Sequence, residues 1–265
     1  MDQRPIGMFD SGVGGLTVLK EIRRKIPNEK IIYLGDTNNF PYGSKSKETI
    51  IRLSRKCMDY LVAQNVKLVI TACGTVTSQA IDELKTEYNT PIIGIIEPTV
   101  EYISKTYKKD KETIGIIATS GTIRSCAWEK KIRESIKNIE IINEKTPLLA
   151  IMAEEGWINN KAAKFVIKEY MKCFNNVDRL VLGCTHYPLF EELIKRELKR
   201  KTEIINTGRI ISEYIKRFIE NNAIENDKTR KDFEVLITDD NKDFKRIGEI
   251  ILCENLNSKI KEIKL

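Results

Sequence analysis

Short runs of consecutive apolar residues alternate along this chain with longer segments in which apolar positions recur every three or four residues. The first pattern is that of strands buried on both faces, the second that of amphipathic helices. Together they predict strands over 4–9, 30–34, 66–72, 90–96, 113–118, 139–142, 179–182, 203–206 and 233–238. Helices are predicted over 16–25, 47–64, from 75–78 to 88, 99–109, 161–175, 210–221 and 242–252. Leu16, Leu19, Ile22 and Ile26 share one side of the first helix. Ile50, Leu53, Cys57, Tyr60 and Leu61 share one face of the second, which makes Cys57 a core residue. Glu97-Pro98 is read as the end of the fourth strand.

The pattern runs through twice. Val66-Lys-Leu-Val-Ile-Thr-Ala-Cys73 keeps step with Val177-Asp-Arg-Leu-Val-Leu-Gly-Cys184, and Ile6-Gly-Met-Phe-Asp-Ser11 keeps step with Ile114-Gly-Ile-Ile-Ala-Thr119. The copy is inexact, since Ala118 stands where the first half has Asp10. Residues 208–265 have no counterpart and are expected to return to the first half. The expected fold is therefore α/β, with two pseudo-symmetric parallel-sheet domains, 1–97 plus 208–265 and 98–207, and the active site in the cleft between them at the carboxyl ends of the strands.

Composition narrows the class. At 265 residues the chain can bury two cores. It is 41% hydrophobic and 31% charged, and its apolar runs fall far short of a membrane span. No signal-peptide pattern opens it. Its formal charge is +7, but Lys and Arg are interleaved with Glu, as in Lys195-Arg-Glu-Leu-Lys-Arg-Lys201, which reads as a solvated helix face rather than a nucleic-acid stripe. The six cysteines, at 57, 73, 126, 173, 184 and 253, show neither CxxC spacing nor a disulfide framework, and the expected setting is a reducing cytoplasm. Cys57, Cys126, Cys173 and Cys253 read as packing or idle surface thiols.

Candidate chemistry gathers at strand ends. Asp10-Ser-Gly-Val-Gly-Gly15 is a glycine-rich turn before a helix and suits an anionic group, but it lacks both the P-loop ending and the dinucleotide spacing. Asn38-Asn-Phe-Pro-Tyr-Gly43 is a loop expected at the cleft. Cys73 and Cys184 each follow a strand, where helix N-terminal amides are expected to raise the thiolate share. The chain's single histidine, His186, lies two residues after Cys184. That pair has no further ligands with metal-binding spacing, so no metal is expected. A Cys-His-Asp hydrolase leaves the mirrored Cys73 unexplained. Opposed thiols account for both cysteines: one takes a proton from a carbon acid and the other returns one on the opposite face, inverting the centre.

The set Phe9-Asp-Ser-Gly-Val-Gly-Gly15, Gly35-Asp-Thr37, Pro41-Tyr-Gly43, Ala72-Cys-x-Thr75 and Gly183-Cys-Thr-His-Tyr-Pro-Leu189 resembles the motif set of bacterial glutamate racemases, in order and over nearly the whole chain. The resemblance implies a cofactor-independent two-base racemase that interconverts L- and D-glutamate and supplies D-glutamate for peptidoglycan. It implies that Cys73 faces the D isomer and Cys184 the L isomer, with Asp10 assisting Cys73, and His186 with Glu154 assisting Cys184. Substrate contacts carry over to Asp10, Ser11, Tyr42, Gly43, Gly74, Thr75, Thr185 and His186. Thr119 is expected to add a hydroxyl, and Pro41 with Tyr42 to exclude water. The likeness implies a small-molecule partner, glutamate, and a homodimer.

Two positions depart from the family pattern. The usual Asn after the first cysteine is Gly74, so one amide contact is expected to be missing and activity weakened, with a Gly74→Asn variant restoring it. Thr146 stands before Pro147 where the likeness usually has Cys, and no mechanism attaches to it. The rival readings are an aspartate racemase of the same architecture and a binding protein without turnover.

Overall fold

The computed structural model describes residues 1–108, 112–198, 201–226, 232–239 and 242–265. Among the described residues, ten strands form two sheets, and every pairing is parallel. In chain order they are β1 (Ile6–Asp10), β2 (Ile31–Gly35), β3 (Leu68–Thr71), β4 (Ile92–Gly94), β5 (Thr113–Ala118), β6 (Glu140–Lys145), β7 (Arg179–Leu182), β8 (Glu203–Asn206), β9 (Phe233–Ile237) and β10 (Ile260–Glu262). The first sheet runs β10-β9-β2-β1-β3-β4 and the second β6-β5-β7-β8. The order β2-β1-β3-β4 thus recurs as β6-β5-β7-β8, with β5 in the place of β1 and β7 in the place of β3. Strands β9 and β10 return to the first sheet, with β9 pairing along β2.

Strands β1, β2, β3 and β7 are buried along their whole length, as expected of parallel strands covered on both faces. Helix Gly15–Lys25 buries Leu16, Leu19 and Ile22, and helix Lys47–Ala63 buries Ile50, Leu53, Cys57 and Leu61. Tyr60 of that face is only half-buried.

Several boundaries differ from expectation. The helix expected after 75–78 is two helices, Gly74–Gln79 and Ile81–Glu87, broken at Ala80. Pro98 does not end a strand; it sits in the first turn of helix Ile96–Thr106, where a missing N–H costs nothing. The expected end of that helix at residue 109 lies outside the described residues, as do residues 199 and 200 of the basic run. Helix Thr207–Asn221 starts earlier than expected because the Asn206 side chain caps it, accepting from the amides of Gly208 and Arg209. Helices Ala127–Ser135, Pro147–Glu154 and Glu191–Glu197 come in addition. Among the described residues, no helix is long and apolar enough to cross a membrane.

Candidate active site

Because all strands are parallel, the segments after β1, β3, β5 and β7 emerge on one side of their sheets. Each turn then meets the opposite half. The segment after β1 (residues 11–15) lies against the segment after β7 (184–186), and the segment after β5 (119–122) lies against the segment after β3 (73–78). On one flank the Thr17 hydroxyl donates to the Thr185 carbonyl at 2.8 Å. On the other, the Thr75 and Thr119 hydroxyls are 2.9 Å apart, and Ser78 and Thr122 meet at 3.5 Å.

Between the flanks lies a cleft of about 580 Å³, measured out to its open mouth. Cys73 and Cys184 both line it, together with Ser11, Pro41, Tyr42, Gly43, Gly74, Thr75, Thr119, Thr185 and His186. Phe40, Ser44, Ser120, Pro147, Ala150 and Ile151 complete the wall and were not among the expected residues. Pro147 opens the helix that carries Ala150 and Ile151, and a proline at a helix start was the available sequence signal. Among the described residues of the wall there is no lysine or arginine, so an anionic ligand meets hydroxyls and backbone amides there.

Asp10 and Glu154 stand behind the wall rather than in it. The Asp10 carboxylate accepts from the Gly12 amide at 3.1 Å and the Thr185 hydroxyl at 3.2 Å. The Tyr42 hydroxyl is likewise committed, donating to Asp36 Oδ2 at 2.5 Å.

The two thiols have different surroundings. Cys184 Sγ lies 3.5 Å from His186 Nδ1, and His186 Nε2 lies 2.7 Å from Glu154 Oε1. Burial disfavours a charged His186, but its hydrogen bonds to Cys184 and Glu154 more than offset this and hold its pKa well above the usual histidine value. One ring nitrogen of His186 thus faces the sulfur and the other the carboxylate. Phe40 covers the ring, with centroids 5.7 Å apart at 53°.

Among the described residues, no histidine lies beside Cys73. Its sulfur is 3.9 Å from the Ser11 hydroxyl. Burial, then the nearby Asp10 charge, push its pKa up to about 12. The expectation that helix amides lower both thiols is overturned at Cys73, where the Val76 amide works in that direction but burial prevails. It finds no α-helix to act through at Cys184, which is followed by a 3-10 turn, Tyr187–Phe190. Asp10 is itself pushed up to about 6 by burial, against the pull of His186 and the Gly12 amide.

One amide of the glycine-rich turn is already taken. The Val13 amide donates to Glu154 Oε1 at 2.8 Å, so the carboxylate it holds belongs to the protein. Gly74 also has a different meaning from the one expected. A Cβ there would lie 2.3 Å from the Gly183 carbonyl oxygen, so any side chain must push the β3 and β7 ends apart, and Gly74→Asn is not a simple restoration. Among the described residues, no group of three or more His, Cys, Asp or Glu is placed to hold a metal.

Residues 7–215 match the model of the Asp/Glu/Hydantoin racemase family. The chain is 38% identical to the glutamate racemase of Aquifex aeolicus over 259 residues, covering 96% of each. It is 40% identical to that of a Sulfurihydrogenibium species, covering 97% of this chain and 96% of the relative. Among solved structures it is similar to the Francisella tularensis glutamate racemase in complex with D-glutamate, with a TM-score of 0.92, 33% identity and coverage of 100% of this chain and 98% of that one.

Proposed function

The chain belongs to the Asp/Glu/Hydantoin racemase family and is an amino-acid racemase, and from that premise we propose that it interconverts L- and D-glutamate by proton transfer between Cys73 and Cys184 across Cα. The reading rests above all on one observation: two buried thiols line a single cleft, each beside a different proton-handling partner.

With L-glutamate bound, the Cys184 sulfur takes the Cα proton, and the electron pair left on carbon delocalises into the α-carboxylate. The Cys73 thiol then delivers its proton to the opposite face, giving D-glutamate. One proton enters and one leaves, so no redox partner is needed. The His186–Glu154 pair then takes the proton that Cys184 has gained, and Asp10 returns one to the Cys73 thiolate, which resets both sulfurs. The D isomer runs the same steps in reverse. Hydroxyls of Ser11, Thr75, Thr119 and Thr185 and neighbouring amides hold the carboxylates, while Pro41 and Tyr42 help to exclude water. The family likeness further implies that the D-glutamate supplies peptidoglycan and that the protein works as a homodimer, which light scattering checks directly.

An aspartate racemase is the second reading, because Gly74 lacks the side chain usual in the glutamate branch. The discriminating experiment incubates each isomer of glutamate and of aspartate in deuterated water and follows loss of the α-proton and inversion. Exchange and inversion of glutamate are expected. Exchange confined to aspartate would transfer the assignment to that substrate, and binding without exchange would sink it.

A further inference from the structure

We propose that the glycine-rich turn after β1 is a positioning element for the Cys184 relay, in which Gly12 and Gly14 leave the space that Glu154 and His186 occupy and the Val13 amide holds the Glu154 carboxylate on His186. The inference rests on the two-thiol reading and assigns that turn a role in it. Three contacts carry it. Glu154 Oε1 accepts from the Val13 amide at 2.8 Å and faces His186 Nε2 at 2.7 Å, so a single oxygen joins the turn of one half to the histidine of the other. A Cβ on Gly12 would lie 2.2 Å from that same oxygen. A Cβ on Gly14 would lie 2.5 Å from His186 Nδ1, the atom that faces the sulfur, and 2.6 Å from the Thr185 hydroxyl.

The turn is firmly held in its place. The Tyr33 hydroxyl donates to the Gly12 carbonyl at 2.6 Å, the Gly12 amide is bound to Asp10, and Val13 is fully buried. A methyl group on Gly12 therefore displaces the Glu154 carboxylate rather than the turn. Without its carboxylate neighbour, His186 keeps the sulfur contact but loses the group that orients the ring and accepts its second N–H. Cys184 then exchanges its proton slowly, while Cys73, with Asp10 behind it, is unaffected. Because Gly12, Val13 and Gly14 belong to one half and Glu154 and His186 to the other, the relay is complete only while this flank of the cleft is closed.

The test uses the full chain with Gly12→Ala, Glu154→Ala and the double variant. Enantiomers have equal free energy in water, so kcat/KM is the same in both directions and falls equally for either isomer. The informative readout is therefore α-proton exchange with solvent deuterium, followed separately for each isomer. Gly12→Ala is expected to lower racemisation by at least about tenfold. It is expected to slow L-glutamate exchange to the same degree and to leave D-glutamate exchange within about twofold of the unaltered protein. In the Glu154→Ala background the carboxylate is gone and the extra methyl has only the Phe40 ring edge, at 3.1 Å, to move by a few tenths of an ångström, so the double variant is expected to match Glu154→Ala. Equal losses of exchange for both isomers, a further large drop in the double variant, or an unimpaired Gly12→Ala would each overturn the proposal. Should Gly12→Ala not fold, the double variant set against Glu154→Ala decides the matter. If the unaltered protein exchanges neither isomer, it is the racemase reading that fails, not the role of the turn alone.

Discussion

The two cysteine sites occupy equivalent places in a repeated fold and differ in almost everything that governs proton affinity. Cys184 lies against a histidine backed by a carboxylate, whereas Cys73 lies near the Ser11 hydroxyl with the buried Asp10 carboxylate close by. Burial and the Asp10 charge hold the proton firmly on the Cys73 sulfur. The difference traces to a single exchange in the repeat, Asp10 in the first half for Ala118 in the second, and to the one histidine lying beside only one of the thiols.

The strongest way to break this comparison is to remove each sulfur in turn. Cys73→Ala and Cys184→Ala are each expected to lower racemisation about 100- to 10,000-fold, the usual reach of a lost acid or base. The survivors should differ: Cys184→Ala retains α-proton exchange only with the D isomer and Cys73→Ala only with the L isomer. Identical exchange patterns in the two variants would contradict the assignment of faces.

Asp10 sharpens the contrast through pH. Its folded pKa of about 6 lies above the ordinary 3.8, so the fold favours the protonated carboxyl. That contribution to stability is complete below pH 3.8 and is lost as pH rises through about 6. At pH 8 the buried charge costs about 3 kcal/mol. Asp10→Asn is therefore expected to raise the melting temperature at pH 8, with the gain shrinking toward pH 4. On the proposed mechanism Asp10 must be ionised to take the proton that Cys73 removes from D-glutamate, so kcat/KM is expected to fall below about pH 6, and the Asn variant is expected to lose that dependence together with most of its activity. Melting curves and pH–rate profiles of the two proteins check both signs.

The smallest effect concerns the seam between the sites. Gly74→Ala is expected to destabilise the protein by about 2 kcal/mol, because its methyl meets main chain that has nowhere to retreat. Gly74→Asn meets the same obstacle with a larger group. Denaturant unfolding of the two variants against the parent measures this, and an Asn variant as stable as the parent with a lower KM would restore the simpler account of a missing amide.

Much of this was legible in the chain. Buried parallel strands announce themselves as apolar runs, and the expected spans of 113–118, 179–182 and 203–206 coincide with β5, β7 and β8. Strand β10 lies at a sheet edge with Lys261 and Glu262 exposed, and so carries no such run. Helix Ala127–Ser135 buries only Trp128 and Ile132 and begins at Cys126 in a left-handed conformation, which leaves too short a stripe to read. The thiols, the histidine and the hydroxyls of the cleft were visible because each sits next to a strand end. What escaped sequence reading were relations between segments far apart: Glu154 lying on the Val13 amide, Asp10 lying behind the wall, and Gly74 lying on Gly183.

That last contact turns residue 74 into a ruler. The ends of the strands that carry the two sulfurs come so close here that a side chain's first carbon would run into main chain, so their spacing depends on residue 74 having none. Every substitution there acts as a shim, and on the proposed mechanism it widens the span that a single carbon atom must bridge.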